Sequence, residues 1–327
     1  MREGKFIDQN VKRWMGYLET SNDPDEQASR FVHLLDDLSY SKTHYKDSKT
    51  TKFINGLAAK QYQAIYQHKK LDFGRLISFW KYELPILFAK YQKIYLFTLT
   101  FFIASVCIGV LSSQQDQEFV RSILGDDYVN LTEDNIQKGD PFGVYKKQNE
   151  FDMFIQIASN NIQVSFFVYA LGILFGIATL YLLFTNGLML GTFEQLFFAK
   201  GLGWQSILVV WIHGTIEIAS IVIAGTAGLI LGFSFLFPGT YTRIQSLRKG
   251  ALDSVKIIIG LIPFFLTAAF LEGFITLHTS MPKAVSISIL ALSFLLILWY
   301  FTIYPLLLRR AGAQFIQGSI HFEKPQS

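Results

Sequence analysis

The rhythm of apolar positions divides the chain into three stretches. Up to about residue 70 they recur at helical spacing on an otherwise polar background. Phe31, Leu34, Leu35 and Leu38 fall at i, i+3, i+4 and i+7, which predicts one amphipathic helix. Ser21-Asn22-Asp23-Pro24 ahead of it supplies caps and a helix-start proline. A second stripe runs Ile54, Leu57, Ala58, Tyr62, Ile65, Tyr66, and the polar, lysine-bearing stretch 41–51 reads as the turn between the two. Region 1–70 is therefore expected to be a cytoplasmic helical region, packed on itself, on the rest of the chain or on a partner.

In 71–93 the pattern changes. Phe73, Ile77, Phe79, Trp80, Tyr82, Leu84, Leu87, Phe88 and Tyr91 interleave with Arg75, Lys81, Lys90 and Lys93. Aromatic residues with basic flanks suit a helix lying in the headgroup region, with Pro85 as the expected kink. The alternative is an ordinary packed helix of the soluble part.

From residue 94 the apolar runs become continuous, and 94–310 reads as a transmembrane domain. Runs at 95–111, 162–184, 205–236, 257–276 and 285–306 have the length of membrane helices. Asn186-Gly187 interrupts the sequence after the second run, and 187–199 is a short apolar piece ending at Lys200-Gly-Leu-Gly203. The 32 residues of 205–236 exceed one perpendicular crossing, so Gly225, Gly228 and Gly232 are expected to bend or end that helix. The fold class expected is all-α: a polytopic membrane protein of about six helices, with short or broken central ones. The alternative is that 187–236 is a re-entrant pair.

Charge sets the expected orientation. Lys81, Lys90 and Lys93, the basic loop 238–256 and Arg309-Arg310 belong in the cytoplasm by the positive-inside rule. The loop 112–160, with nine acids against four bases, falls outside, and Phe142, Tyr145, Phe151 and Phe154 give it a short surface helix. Both termini, including the polar tail 311–327, would then be cytoplasmic, in a cell inner membrane. The polar start of the chain carries no cleavable signal, so the first span must direct insertion.

Composition agrees: 51% of the 327 residues are hydrophobic and only 17% are charged, against about 25% in soluble domains. The net charge of +4, with no basic stripe, excludes a nucleic-acid signature. The lone Cys107 excludes a cysteine zinc cluster and an intrachain disulfide.

Few ionisable groups lie at membrane depth, and such groups are functional candidates by default. They are Glu194, His213, Glu217 and Glu272. His213 and Glu217 are four apart, on one helix face. The pair reads as a proton relay, as half of a metal site completed by Glu194 or Glu272, or as a structural hydrogen-bond cluster with Asn160, Asn161, Gln163 and Asn186. The residues alone assign no metal and no cofactor. There is no His-Glu-x-x-His, no Gly-x-Ser-x-Gly and no phosphate-cradling loop, so an enzyme is not expected. Gly172/Gly176, Gly187/Gly191 and Gly228/Gly232 share a four-residue spacing that lets helix backbones approach, within the chain or across a homodimer. Gly214 and Gly225 belong with them as candidate packing glycines.

Together these residues resemble the stage II sporulation protein M family of integral membrane proteins. The resemblance rests on Asn160-Asn161, Gly172 and Gly176, Asn186-Gly187-Leu-Met-Leu-Gly191, His213-Gly214-x-x-Glu217, Ala224-Gly225, Gly228, Pro238-Gly239 and Glu272-Gly273. Trp14, the stretch 34–40 and Tyr62-x-x-Ile-Tyr66 extend it into the soluble region. It implies a scaffold that positions cell-envelope machinery, as the spore-forming member does with stage II sporulation proteins D and P in peptidoglycan remodelling. It implies no catalytic residues. A transporter or permease component using the His213/Glu217 pair is the alternative, and an intramembrane metal-dependent enzyme a third. The partners expected are the lipid bilayer, envelope proteins and a second copy of the chain.

Overall fold

The computed structural model describes residues 1–19, 21, 23–67, 73–142, 150–276, 281–316 and 319–322. The chain divides into two compact units, Met1–Leu76 and Ile77–Ser327.

The first unit is three helices: α1 (Glu3–Gly16), α2 (Pro24–His44) and α3 (Lys49–Gln67). Asp23 caps α2 by accepting from the Asp25 amide at 3.0 Å, with Pro24 at the first helical position. The expected turn at 41–51 is shorter: α2 runs on to His44, and Asp47 takes the left-handed conformation before α3. Phe6, Trp14, Leu34, Leu38, Ile54, Leu57 and Ala58 form the core. The polar tip of Trp14 is satisfied by Asp37, which accepts from Nε1 at 2.7 Å and is also paired with Arg13. Leu35 and Tyr62 of the expected stripes point outward instead.

The boundary between the units falls within α4 (Phe73–Ser78), and the second unit continues with a π-type turn (Phe79–Glu83) and α5 (Leu84–Gln115). Pro85 sits harmlessly in the first turn of α5, and the bend comes at Tyr91, whose φ of −103° and ψ of 17° leave the helical region. Before the bend, the segment runs antiparallel along α11 (Arg243–Phe270). Trp80 Nε1 donates to the Gly260 carbonyl, Lys256 pairs with Glu83 at 2.8 Å, and Lys90 and Tyr91 both donate to Asp253. Leu84, Leu87 and Phe88 are buried, whereas Leu76 and Ile77 near the start of the segment are exposed.

The expected loop 112–160 is largely helical: α5 continues to Gln115, followed by α6 (Gln117–Leu124), α7 (Asp126–Gln137) and, from residue 150, α8 (Glu150–Ala170). Phe142 stacks on Phe197; Tyr145 lies outside the described residues. The expected second span 162–184 is split. A 3₁₀ turn (Leu171–Ile173) and two left-handed residues, Phe175 and Gly176, separate α8 from α9 (Ile177–Ala199). Asn186-Gly187 makes no break, because the Asn186 amide donates back to Leu182 O within the helix at 2.8 Å. The 34-residue α10 (Gly203–Leu236) is likewise uninterrupted. After α11 come a π-type turn (Leu271–Thr276), α12 (Lys283–Leu298), another π-type turn (Trp299–Ile303) and α13 (Tyr304–Arg310). A hairpin of β1 (Ala313–Ile316) and β2 (Ser319–Phe322) follows, where only a tail was expected.

Among the described residues, five helical stretches are long and apolar enough to cross a membrane: Gly74–Gln115, Ile177–Ala199, Gly203–Leu236, Arg243–Thr276 and Lys283–Arg310. At 21 residues α8 also has the length, but Gln156, Asn160, Asn161 and Gln163 lower its hydropathy. Neighbour contacts give the directions. Gly187 meets Phe102 and Ser105, and Gly191 meets Val106 and Val110, so α5 and α9 are parallel. Val168 and Gly172 meet Gly228, and Gly172 also meets Gly232, so α8 and α10 are parallel. Leu183 lies at Gly225 and Glu194 at Trp211, making α9 and α10 antiparallel. Ser234 lies at Gly250 and Thr276 at His213, making α10 and α11 antiparallel. One end of the bundle gathers Lys90, Lys93, Lys249 and Arg309 around two adjoining clefts. The other carries α6 and α7, fixed to α9 by Val120, Val129 and Leu196 and by the Lys200–Glu133 ion pair at 2.7 Å.

Candidate functional site: a polar cavity beneath α6 and α7

The glycines decide where helices close on one another. A Cβ on Gly172 would overlap the Gly228 backbone, one on Gly191 the Val106 carbonyl, and one on Gly187 the Ser105 side chain. Gly176 and Gly232 meet each other's segment, and Gly225 receives the Leu183 side chain. All these contacts lie within the chain. Thr179 fastens the α8–α9 turn by donating to Val168 O at 2.7 Å. Gly214 is different: only an Ile218 methyl approaches it, and it lines a cavity.

That cavity, of about 570 Å³, lies where α8 and α10 part toward the α6–α7 end. Ile123, Leu124 and Tyr128 border it from α6 and α7. Gln156, Asn160 and Asn161 line it from α8, Asn186 and Met189 from α9, His213 and Glu217 from α10, and Glu272 from the turn after α11. No lysine or arginine lines it among the described residues.

The helical spacing of four puts His213 and Glu217 on one face, as expected, and the chain adds Glu272 from elsewhere. The Glu272 carboxylate approaches His213 Nε2 to 3.7 Å, and one donor atom from each of His213, Glu217 and Glu272 lies within 4.8 Å of the others. His213 is 4% exposed. Its Nδ1 lies 3.2 Å from Thr276 Oγ1, and the Thr276 hydroxyl donates to Leu271 O at 3.2 Å. The Thr276 hydroxyl thus stands between Leu271 O and the ring; in the tautomer that donates Nδ1–H to Thr276, the Nε2 lone pair faces the carboxylates. Asn161, also 4% exposed, stands beside Glu217, close enough to act on that carboxyl. Its Nδ2 nevertheless makes no hydrogen bond of normal geometry.

The other candidates separate. Glu194 does not join the cluster: its Oε1 accepts from Trp211 Nε1 at 2.7 Å, and its Oε2 is buried without a partner. Asn186 reaches the cavity wall, whereas Gln163 is exposed and does not line it. Thr276, Gln156 and Tyr128 went unnoticed in the sequence. Gln156 carried a signal, standing one turn before Asn160; Thr276, at the end of an apolar run, carried none.

A family model described as Stage II sporulation protein M matches residues 98–277, more than half of the chain. The chain belongs to the stage II sporulation protein M family. The matched region begins inside α5 and ends just past Thr276, so every residue of the cluster lies within the part that defines the family. Such a chain is a multi-pass membrane protein, in keeping with its apolar helices. A second model, described as a domain of unknown function (DUF8413), matches residues 4–67, the three-helix unit. No curated protein and no solved structure matches.

Proposed function

We propose that this stage II sporulation protein M family member handles a small hydrophilic solute or ion at the floor of its cavity. In this reading the chain crosses the cytoplasmic membrane six times, α8 being the sixth crossing. The alternating directions of α5, α8, α9, α10, α11 and α12 support that count. The basic end belongs in the cytoplasm by the positive-inside rule, and the cavity opens to the outside. One observation carries the functional reading: a buried histidine and two half-buried carboxyl groups meet in a cavity of mixed polar and apolar lining, at the point where α11 gives way to a π-type turn. Charged groups inside a membrane and interrupted helices beside them are the usual marks of an ion or solute path. The family is not known as a family of enzymes, and this reading includes no bond-making step.

Substituted-cysteine labelling tests it, in a Cys107→Ser background. Asn160→Cys at the cavity should react with a membrane-impermeant maleimide added outside intact cells, while Lys249→Cys reacts only after permeabilisation. The reverse pattern, or an Asn160→Cys that never reacts, would sink it.

A second reading, a non-enzymatic scaffold for cell-envelope partners, is favoured by α6 and α7, whose Asp116, Glu118, Asp126, Asp127 and Asp134 are exposed at the end opposite the basic clefts. Reversing Asp126 and Asp127 to lysine should release such a partner in cross-linking experiments while leaving the cavity accessible.

A further inference from the structure

Three metal-ligating side chains converge at the cavity floor: the imidazole of His213 and the carboxyl groups of Glu217 and Glu272, with one ligand atom of each within 4.8 Å of the others. Two carboxylates beside an imidazole in a low-dielectric space need either protons or a bound cation to offset their charge. No lysine or arginine supplies positive charge from the cavity wall among the described residues. A dication would cancel the two carboxylate charges and leave the buried assembly neutral. We infer that His213, Glu217 and Glu272 bind a divalent transition-metal ion of the zinc type, with one coordination position open to the cavity. The inference rests on the cavity reading above and names its ligand.

Four features of the geometry support it. One pair, His213 Nε2 and Glu272 Oε2 at 3.7 Å, needs to close only slightly, since ligands bonded at about 2.0–2.2 Å in a tetrahedron stand about 3.4 Å apart. The Nδ1–Thr276–Leu271 chain fixes the imidazole ring, as the outer partners of metal-bound histidines do. Glu272 sits in a π-type turn and not in a regular helix, which brings a second element to the α10 pair. Finally, the buried Nδ2 of Asn161 stands beside Glu217 without a hydrogen bond of normal geometry. It is placed to hold the second oxygen of Glu217, or a water on the metal, once a cation draws that carboxylate inward. Mixed imidazole and carboxylate donors select zinc, manganese, iron or cobalt over magnesium and calcium, which prefer oxygen alone.

The test uses the full chain, purified in detergent with chelator and then titrated with Zn²⁺ and Co²⁺. The expected result is one tightly bound equivalent, with Co²⁺ giving the visible absorption of a four- or five-coordinate site. Glu272→Gln and His213→Gln should each lower affinity by at least about 100-fold, and Thr276→Val, which frees the ring, by about 10–100-fold. Glu272→Asp should retain part of the binding, which guards against variants that merely misfold. Binding that survives all three losses marks an adventitious ion and overturns the inference, as does a folded wild-type protein that takes up no metal. Labelling of Asn160→Cys separates the two ideas: a labelled cavity without metal removes only this inference, and an unlabelled one removes the function proposed above as well.

Discussion

The α8–α10 pair is built in opposite ways at its two ends. Toward the basic end, Gly172, Gly228 and Gly232 bring the two backbones into contact, and Thr179 bonds across the turn that follows. Toward the α6–α7 end the same helices carry Asn160 and Asn161 against His213 and Glu217, and a cavity opens between them. In lipid, apolar surface gives helices no reason to prefer each other, so closeness must come from small residues and hydrogen bonds. One seam thus contains a dry closure and a polar gap, and the closure holds the gap's walls in register.

The largest effect should come from breaking the closure. Gly172→Leu drives a side chain into the Gly228 backbone, and overpacking against backbone costs about 1–3 kcal/mol or more. It should appear as loss of monodisperse protein and a lowered unfolding temperature in detergent. Thr179→Val keeps the volume but removes the bond to Val168 O, for about 1 kcal/mol by the same assay. Asn161→Leu, at the polar end, should cost less: Nδ2 makes no hydrogen bond of normal geometry, so the substitution should cost no more than about 1 kcal/mol, while metal affinity falls. If Asn161→Leu proves as damaging as Gly172→Leu, the contrast between the two ends is wrong.

The smallest effect concerns Glu133 on α7, outside the bundle. The hydrogen bond from Lys200, helped by its charge and that of Arg121, holds the Glu133 carboxyl below its ordinary value. A depressed carboxylate contributes stability above its unfolded value, about 4.3, and loses it as pH falls through the folded one. Because the pair is partly exposed, Glu133→Gln should cost about 0–1 kcal/mol at neutral pH. It should also flatten the acid side of the stability curve measured down to pH 3.

Much of the molecule was legible in the chain. Long uncharged runs announced a membrane protein, and isolated ionisable residues inside them singled out His213, Glu217 and Glu272. What was hidden follows from glycine's double meaning. Gly187, Gly225, Gly228 and Gly232 read as interruptions, but each sits inside an unbroken helix and makes room for a neighbour. The real break falls at Phe175-Gly176, where a phenylalanine with φ of 58° leaves no mark in the sequence. The beginning of α8 was lost in an expected loop because its amides, which face the cavity, look like loop residues when read alone. Sequence spacing joins His213 to Glu217 but not to Glu272 or Thr276, because only the fold brings α11's last turn beside α10.

The parallel pairing of α5 with α9 has a consequence for how the chain is made. These helices share the notch formed by Ser105, Gly109, Gly187 and Gly191, yet residues 116–176 separate them. At about 5–20 residues per second, synthesis of that stretch takes roughly 3–12 s. During that interval α5 can lie in the bilayer without the neighbour its notch is shaped for, and the whole of α8 is made before α9 can arrive. α5, the first long apolar helix of the chain to be made, therefore acquires its main neighbour late, and a ribosome stalled before Ile177 would leave α5 open to capture by any membrane chaperone or stray helix with a small-residue face.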